Sequence, residues 1–361
     1  MAGALGLVAP GRPLREGLER VLLAKRGALL VIGDDASVLS ICTGGFLIDA
    51  EYSPQRLTEL AKMDGAIILS GDAARIARAN VHLMPDPSVP TTETGTRHRT
   101  AERMARSIDV PVVSVSAAMG VITVYRNGDK HVLQAAGRLH DKVSQALQAL
   151  HRFRQRFDLA VTALSALEIE DTVTVRDVGA VLQPAEIILR VAGELDPIFV
   201  ELGEEGRLLH LQLGELVDGV AVVRHQVVRD YLHTAMGAVA GVGAEQDGSG
   251  PVHRSLASLA RLSTEDLLDG RKVGAALGLS HTEADPDASL EPRGYRLLYR
   301  LPRFPDALVD RIVEHFAGLQ KIMRASVGDL EEVGGVGEAR ARSVKEGLAR
   351  LAEASILDRY S

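Results

Sequence analysis

The chain has 361 residues, 46% hydrophobic and 25% charged, a size and balance that imply two or three globular domains. Its formal net charge of −7 excludes a protein that coats nucleic acid through bulk charge, so any polyanion contact has to be local. The lone cysteine, Cys42, excludes an intrachain disulfide and a multi-cysteine zinc site, and is expected to be a buried small side chain rather than a nucleophile. No basic leader and no apolar run near the roughly 20 residues of a membrane span is present, so a soluble cytoplasmic protein is expected.

In chain order, "PLREGLERVLLAK" (13–25) has apolar residues at helical spacing, and "GALLVIG" (27–33) reads as a buried strand. Ser53 and Pro54 open the next helix as N-cap and first helical residue. "GAIILS" (65–70) is a strand and "RHRTAERMARSI" (97–108) a helix. "VPVVSVS" (110–116) and "VITVYRNGDKHVL" (121–133) are strands, the second folded back at Asn127-Gly128. These elements make an α/β domain, a mixed sheet flanked by helices.

From Leu139 the period changes. Leu139, Val143, Leu147, Leu150, Phe153, Phe157, Val161, Leu164 and Leu167 fall three or four apart, which predicts one long helix. Its stripe suits either a dimer seam or the apolar face of a spine packed on its own domain. Further helices follow, one opening at Ser263 and Asp266 as a helix-start box, and the polar, Pro-interrupted stretch 280–294 marks a boundary. The expected division is an α/β domain at 1–138, an all-α linker at 139–291 and a small helical domain at 292–361.

Two motifs carry chemistry. In "PTTETGTRHRT" (90–100) a Gly-Thr pair precedes Arg97, His98 and Arg99 at a helix start. Backbone N–H groups, a hydroxyl, two guanidinium forks and an imidazole together suit the oxygens of a triphosphate. The alternatives are a solvated helix end, or a patch paired with Glu93 and Glu102. Asp64-Gly65-Ala66 leads into a strand; it is a turn, or a carboxylate that holds a divalent metal or takes a proton from an attacking hydroxyl. Neither a Gly-rich phosphate loop with its Lys nor a dinucleotide fingerprint lies near a strand.

Near the end, "DLEEVGGVGEARARSVKEGLARL" (329–351) resembles the helix-hairpin-helix motif of DNA-repair proteins. Its glycines let a phosphate approach the N–H groups that open the second helix, so binding follows backbone shape and salt rather than base sequence. Gly335, Val336, Gly337, Arg340, Arg342 and Lys345 are the candidate DNA-binding residues; an ordinary αα-hairpin is the plain alternative.

"DGA" at 64–66, "GTRHRTA" at 95–101 and the terminal hairpin, in this order, resemble the DisA-type diadenylate cyclases over the whole length. The resemblance implies a cyclase domain, a helical linker and a C-terminal helix-hairpin-helix domain. It implies condensation of two ATP molecules into cyclic di-AMP and two pyrophosphates, assisted by Mg²⁺ or Mn²⁺. It further implies lower activity on branched or junction DNA and a homo-oligomer, an octamer, in a bacterial, nucleoid-associated setting. Roles follow by position. Asp64 activates the 3′-hydroxyl, and Gly65 and Ala66 allow close approach to the nucleotide. Thr96, Arg97, His98 and Arg99 hold phosphates, with Asp64 and His98 holding metal, and Thr100 adds a hydroxyl. Leu83 sits against adenine unless it is plain core, and Ser116 contacts sugar or phosphate unless it only ends its strand. A scaffold that binds DNA and uses ATP as a mere ligand is the competing reading.

Overall fold

The chain forms two compact units, one from residues 1–145 and 194–212, the other from 146–193 and 213–361. The computed structural model describes residues 1–232, 250–280, 283–302 and 304–359, the last six by backbone only. His233, one of the histidines whose sequence spacing suggests no metal site, lies outside the described residues.

The first unit is built on eight strands: β1 (Ala28–Ile32), β2 (Cys42–Thr43), β3 (Phe46–Glu51), β4 (Ala66–Leu69), β5 (Arg75–Leu83), β6 (Val112–Ser116), β7 (Val121–Arg126) and β8 (Asp129–Val132). Their order is β2-β5-β4-β1-β6-β7-β8, with β3 also on β5. β1 and β4 run parallel, Leu29 opposite Ala66, and the other pairs are antiparallel. β1 is apolar at every position because both faces of the sheet are covered. Successive residues point to opposite sides, so Leu30 and Ile32 join one core and Leu29 and Val31 the other.

Helices α1 (Ala2–Leu7), α2 (Pro13–Leu23) and α4 (Pro54–Leu60) supply the first core through Leu5, Leu14, Leu18, Val21 and Leu57. Ser53 caps α4 by accepting from Arg56 N at 3.2 Å, with Pro54 first in the helix. The second core is closed by α3 (Ala36–Ser40) through Val38 and by α5 (Thr96–Ser107) through Ala101, Met104 and Ala105. Asn127 (φ 50°) and Gly128 (φ 84°) make the β7–β8 turn in the left-handed region that a tight hairpin needs.

α6 (Ala136–Glu170) and α7 (Val175–Leu202) each contribute residues to both units. The α6 stripe is largely buried within the chain, Leu139, Val143, Leu147, Leu150, Phe157 and Leu164 having lost nearly all solvent contact. In the first unit Glu201 of α7 is buried and accepts from His131 Nε2 at 2.8 Å and from Gln134 N at 2.6 Å.

The second unit continues with α8 (Arg207–Val217), whose first residues belong to the first unit, and α9 (Val220–Tyr231), α10 (Pro251–Arg261) and α11 (Gly270–Ala276). Ser263 and Asp266 exchange the expected reciprocal bonds, at 3.1 and 3.2 Å, but they open a 3₁₀ turn; Asp269 caps α11 separately through Arg271 N. Five helices close the chain: α12 (Tyr295–Tyr299), α13 (Asp306–Phe316), α14 (Leu319–Arg324), α15 (Val327–Glu331) and α16 (Glu338–Arg359). They share a core of Leu297, Leu298, Val309, Ile312, Ile322, Leu330 and Val344.

α12 is fixed by buried charge. Asp230 of α9 accepts from the N–H groups of Gly294, Tyr295 and Arg296 at 2.7 to 2.8 Å, while the buried Arg296 pairs with the buried Glu168 of α6. Such a pair is costly to break because either partner alone is an uncompensated buried charge.

Candidate active site

β4 and α5 bring the two sequence motifs to one place. Gly65 takes φ +91°, and a Cβ there would lie 2.9 Å from the backbone of Asn80 and Val81, so only glycine lets the chain pass from Asp64 into β4 against β5. Asp64 is left at the surface. α5 opens at Gly95, whose carbonyl takes its first bond from Arg99 N at 2.9 Å with no side-chain cap. The N–H groups of the first turn find no acceptor among the described residues and are open to an anion.

A cavity of about 760 Å³ lies between these elements. Asp64, Gly65, Ala66, Leu83, Thr96, Arg97, His98, Thr100 and Ser116 all line it, together with His82. Arg99, exposed on α5, is not among the lining residues. Arg97 Nη2 stands 3.5 Å from Asp64 Oδ1. Its guanidinium passes over Gly27, where a Cβ would meet Nη1 at 2.7 Å, so the glycine before β1 makes room for it. The Thr100 hydroxyl donates to Thr96 O at 3.0 Å, and the Ser116 hydroxyl accepts from Met119 N at 3.3 Å. Leu83 is half-buried at the end of β5 opposite Cys42.

The two glutamates near the basic cluster are engaged elsewhere. Glu102 accepts from Thr91 Oγ1 at 2.5 Å, Thr92 N at 3.0 Å and Arg106 at 2.7 Å, which pins residues 91–93 against α5. Glu93 accepts from Lys130 at 2.5 Å and from the Tyr125 hydroxyl at 3.0 Å. Burial alone would push the Glu93 carboxyl up, but the bonds from Lys130 and Tyr125 outweigh it and hold the group below its ordinary value.

His98 is 6% exposed. Its Nδ1 lies 2.8 Å from the Tyr125 hydroxyl, and its buried Nε2 has no hydrogen-bond partner among the described residues. Burial, helped by Lys130 and opposed by Glu93, lowers the His98 pKa, so the ring is neutral at neutral pH. Gly27, Glu93, Tyr125 and Lys130 carry no contiguous motif; sequence reasoning considered Glu93 only as a surface partner of the arginines. Cys42 is half-buried, donates to Val38 O at 3.2 Å, and has its thiol pushed up by burial, the opposite of an activated nucleophile.

Among the described residues no group of three or more His, Cys, Asp or Glu side chains is placed to hold a metal ion. A cation at the cavity would therefore take few ligands from the protein and the rest from phosphate and water, a pattern usual for Mg²⁺. The exposed Asp64 carboxylate fits that sparse, oxygen-donating set, whereas the buried His98 Nε2, an imidazole nitrogen, is a poorer match for Mg²⁺.

At the other candidate site, α15 ends in a turn through Gly335 at φ +89° and α16 begins at Glu338. The N–H groups of Gly335 and Gly337 find no acceptor among the described residues, whereas Val336 is buried and its N–H donates to Val333 O at 2.9 Å. Arg340 Nη1 donates to Gly335 O at 2.8 Å, Arg342 pairs with Glu338, and Lys345 Nζ donates to Met323 O at 2.7 Å. Arg311 of α13, which the sequence reading missed, donates to Gly334 O at 2.5 Å.

Residues 15–130 match the family model described as DisA bacterial checkpoint controller nucleotide-binding, and residues 133–285 match the DisA bacterial checkpoint controller linker region. The DNA integrity scanning protein DisA of Streptomyces coelicolor is 51% identical over 360 residues, covering all of this chain and 94% of its own length. The chain belongs to the DisA family. That of Parafrankia sp. is 51% identical over 356 residues, 99% of this chain and 96% of its own. A solved structure of DacA from Staphylococcus aureus covers 37% of this chain and 91% of its own at 23% identity, with a TM-score of 0.30, too low to bear on the fold. As a DisA-family member the chain is a diadenylate cyclase, with its nucleotide-binding domain followed by a helical linker region. Among the described residues no helix is long and apolar enough to cross a membrane.

Proposed function

We propose that the chain condenses two ATP molecules into cyclic di-AMP, and that branched DNA held by the C-terminal hairpin lowers this activity. The observation that carries the first part is the single cavity lined by Asp64, Arg97, His98, Thr96 and Leu83, which offers a carboxylate, a fixed cation, a helix start and an apolar wall to one nucleotide.

Each ribose 3′-oxygen attacks the α-phosphorus of the other ATP. One 3′-O–P bond forms, the bond from the α-phosphorus to the bridging oxygen breaks, pyrophosphate leaves, and the hydroxyl proton departs. Two nucleotides must lie head to tail, so two cyclase domains face one another and the assembly is even-numbered, an octamer in the reading the family suggests. Asp64, exposed at the cavity, accepts the 3′-hydroxyl proton. Arg97 and the free N–H groups of α5 bind the phosphates and stabilise charge on the departing pyrophosphate. Thr96 and Thr100 line the same wall, Gly65 and Ala66 permit close approach, Leu83 flanks the adenine, and Ser116 lies by the sugar. Arg99, outside the cavity of its own chain, suits the facing nucleotide. When bound at Asp64 and His98, Mg²⁺ or Mn²⁺ would neutralise phosphate charge and polarise the P–O bonds.

For the hairpin, the free N–H groups of Gly335 and Gly337 and the basic side chains of Arg340, Arg342 and Lys345 support a phosphate-backbone grip of the helix-hairpin-helix kind. The corresponding division is a cyclase domain at 1–138, a linker at 139–291 and a DNA-binding domain at 292–361.

The test is incubation of the purified chain with ATP and either metal, with products read by chromatography and mass spectrometry. Wild type makes cyclic di-AMP. Asp64→Asn loses roughly 10²–10⁴ in kcat; retained ATP affinity marks Asp64 as the proton acceptor, and lost affinity marks it as an anchor acting through the metal. Wild type that binds ATP unchanged, under both metals and in an oligomeric state, would favour the scaffold. Saturating four-way-junction DNA lowers turnover; an unchanged rate removes the regulatory half of the proposal.

A further inference from the structure

The Tyr125 hydroxyl stands between two groups that compete for its one proton. On one side is Glu93 Oε1 at 3.0 Å, on the other His98 Nδ1 at 2.8 Å. Glu93 is held ionised by Lys130 at 2.5 Å and by Tyr125 itself, so it can only accept. Tyr125 therefore donates to Glu93, and the remaining bond requires that His98 Nδ1 carry a hydrogen and donate to the tyrosine oxygen. In a neutral imidazole the proton on one nitrogen leaves a lone pair on the other. Free imidazole side chains in water prefer the opposite arrangement, with the proton on Nε2, so this tautomer is imposed by the protein.

We propose that Tyr125 is a positioning residue for the cyclase: held by Glu93 and Lys130, it fixes His98 with its proton on Nδ1 and keeps Nε2 as an acceptor at the nucleotide cavity. The consequence is a division of labour within the Arg-His-Arg motif. The arginines supply positive charge for phosphate oxygens, whereas His98 offers a lone pair, suited to a hydroxyl proton or a cation and unsuited to phosphate. A doubly protonated ring would bury a charged N–H at Nε2 with no acceptor among the described residues, so the geometry favours a lone pair there. The relay is anchored at several points. Glu102 fixes the segment that carries Glu93, and the β7–β8 pairing sets Tyr125 opposite Lys130.

The proposal rests on the cyclase reading for its role but not for its geometry, and the experiment separates the two. Full-length chain labelled with ¹⁵N-histidine is studied by solid-state NMR, with His98→Gln used to assign the His98 signals, and kcat and KM for ATP are measured alongside. In wild type the His98 Nε2 appears as the unprotonated nitrogen and Nδ1 as the protonated one. Tyr125→Phe removes the acceptor, and Glu93→Ala frees the tyrosine proton to turn toward Nδ1. In both variants the proton moves to Nε2, kcat falls about 10- to 100-fold and KM for ATP stays within about two-fold. Glu93→Gln keeps a carbonyl in place and retains the wild-type tautomer. A proton on Nε2 in the wild type overturns the proposal, as does a Tyr125→Phe chain with both tautomer and kcat unchanged. If Tyr125→Phe does not fold, the wild type and the two Glu93 variants decide it. Absence of cyclic di-AMP with the expected tautomers would refute the cyclase reading and leave the relay standing.

Discussion

Gly65 does more for the site than its lack of a side chain suggests. It turns the chain in the left-handed region while pressed on the backbone of β5, and these two demands fall on the residue next to Asp64. Gly65→Ala is expected to cost about 1–3 kcal/mol, because alanine meets both strain and backbone contact there. Thermal unfolding followed by circular dichroism reads this as a lowered midpoint, and an unchanged midpoint would show that β5 yields. At this scale the sequence was legible where chemistry is contiguous. Asp64-Gly65-Ala66 and Arg97-His98-Arg99 are each read in one glance, but Tyr125 is 27 residues from His98 and 32 from Glu93, and the mostly apolar strand that carries it looks like plain sheet. Gly27 makes room for a guanidinium whose approach only the folded sheet reveals.

At the scale of elements, strands covered on both faces announce themselves as apolar runs, as β1, β4 and β6 do. β5 does not. "RIARANVHL" carries Arg75, Arg78 and His82, and Asn80 takes φ 54° where its register with β4 shifts, so neither alternation nor hydrophobicity marks it. β3 hides for a similar reason: Asp49 breaks it at φ 46°, and Phe46 and Leu47 are exposed. The long α6 was legible because its apolar stripe repeats over many turns. What held α12 was not, since Asp230, Glu168 and Arg296 are far apart in sequence and look like ordinary surface charges.

Asp230 gives that anchor a pH dependence. Burial, reinforced by the Glu168 carboxylate, raises it to about 7 against the pull of three N–H groups. A carboxyl whose folded pKa lies above its unfolded value of about 3.9 holds an extra proton in the fold between the two. Its contribution is therefore full below about pH 4 and is lost as the pH rises through 7. The unfolding midpoint of the second unit is expected to fall between about pH 4 and 7 and to level off above that, and Asp230→Asn to flatten that slope. An identical slope in the variant would place the titration elsewhere.

For the whole molecule, net charge and hairpin make different demands. A chain of net charge −7 gains little from long-range attraction, so the DNA grip proposed for the C-terminal hairpin would rest on a few phosphate contacts multiplied by assembly. The proposed grip predicts a log affinity that falls with log salt by roughly 0.9 for each phosphate neutralised, about one to three per engaged hairpin. Fluorescence anisotropy on junction DNA across a salt series measures it, and a flat response would exclude backbone phosphates as the main contact. The passage from an α/β domain to a helical linker region was legible from changes in period and composition. The return of residues 194–212 to the first unit was not, because nothing in a helix's own sequence states which sheet it will finally lie against.

That return has a consequence in time. A ribosome delivers residue 145 well before residue 212, and the 67 residues between them take roughly 3–13 s at ordinary rates of synthesis. For most of that interval the nascent sheet lacks Glu201, the group that ties down His131 and Gln134. The nucleotide-binding half of the chain, although translated first, is completed only after the start of its successor has already emerged.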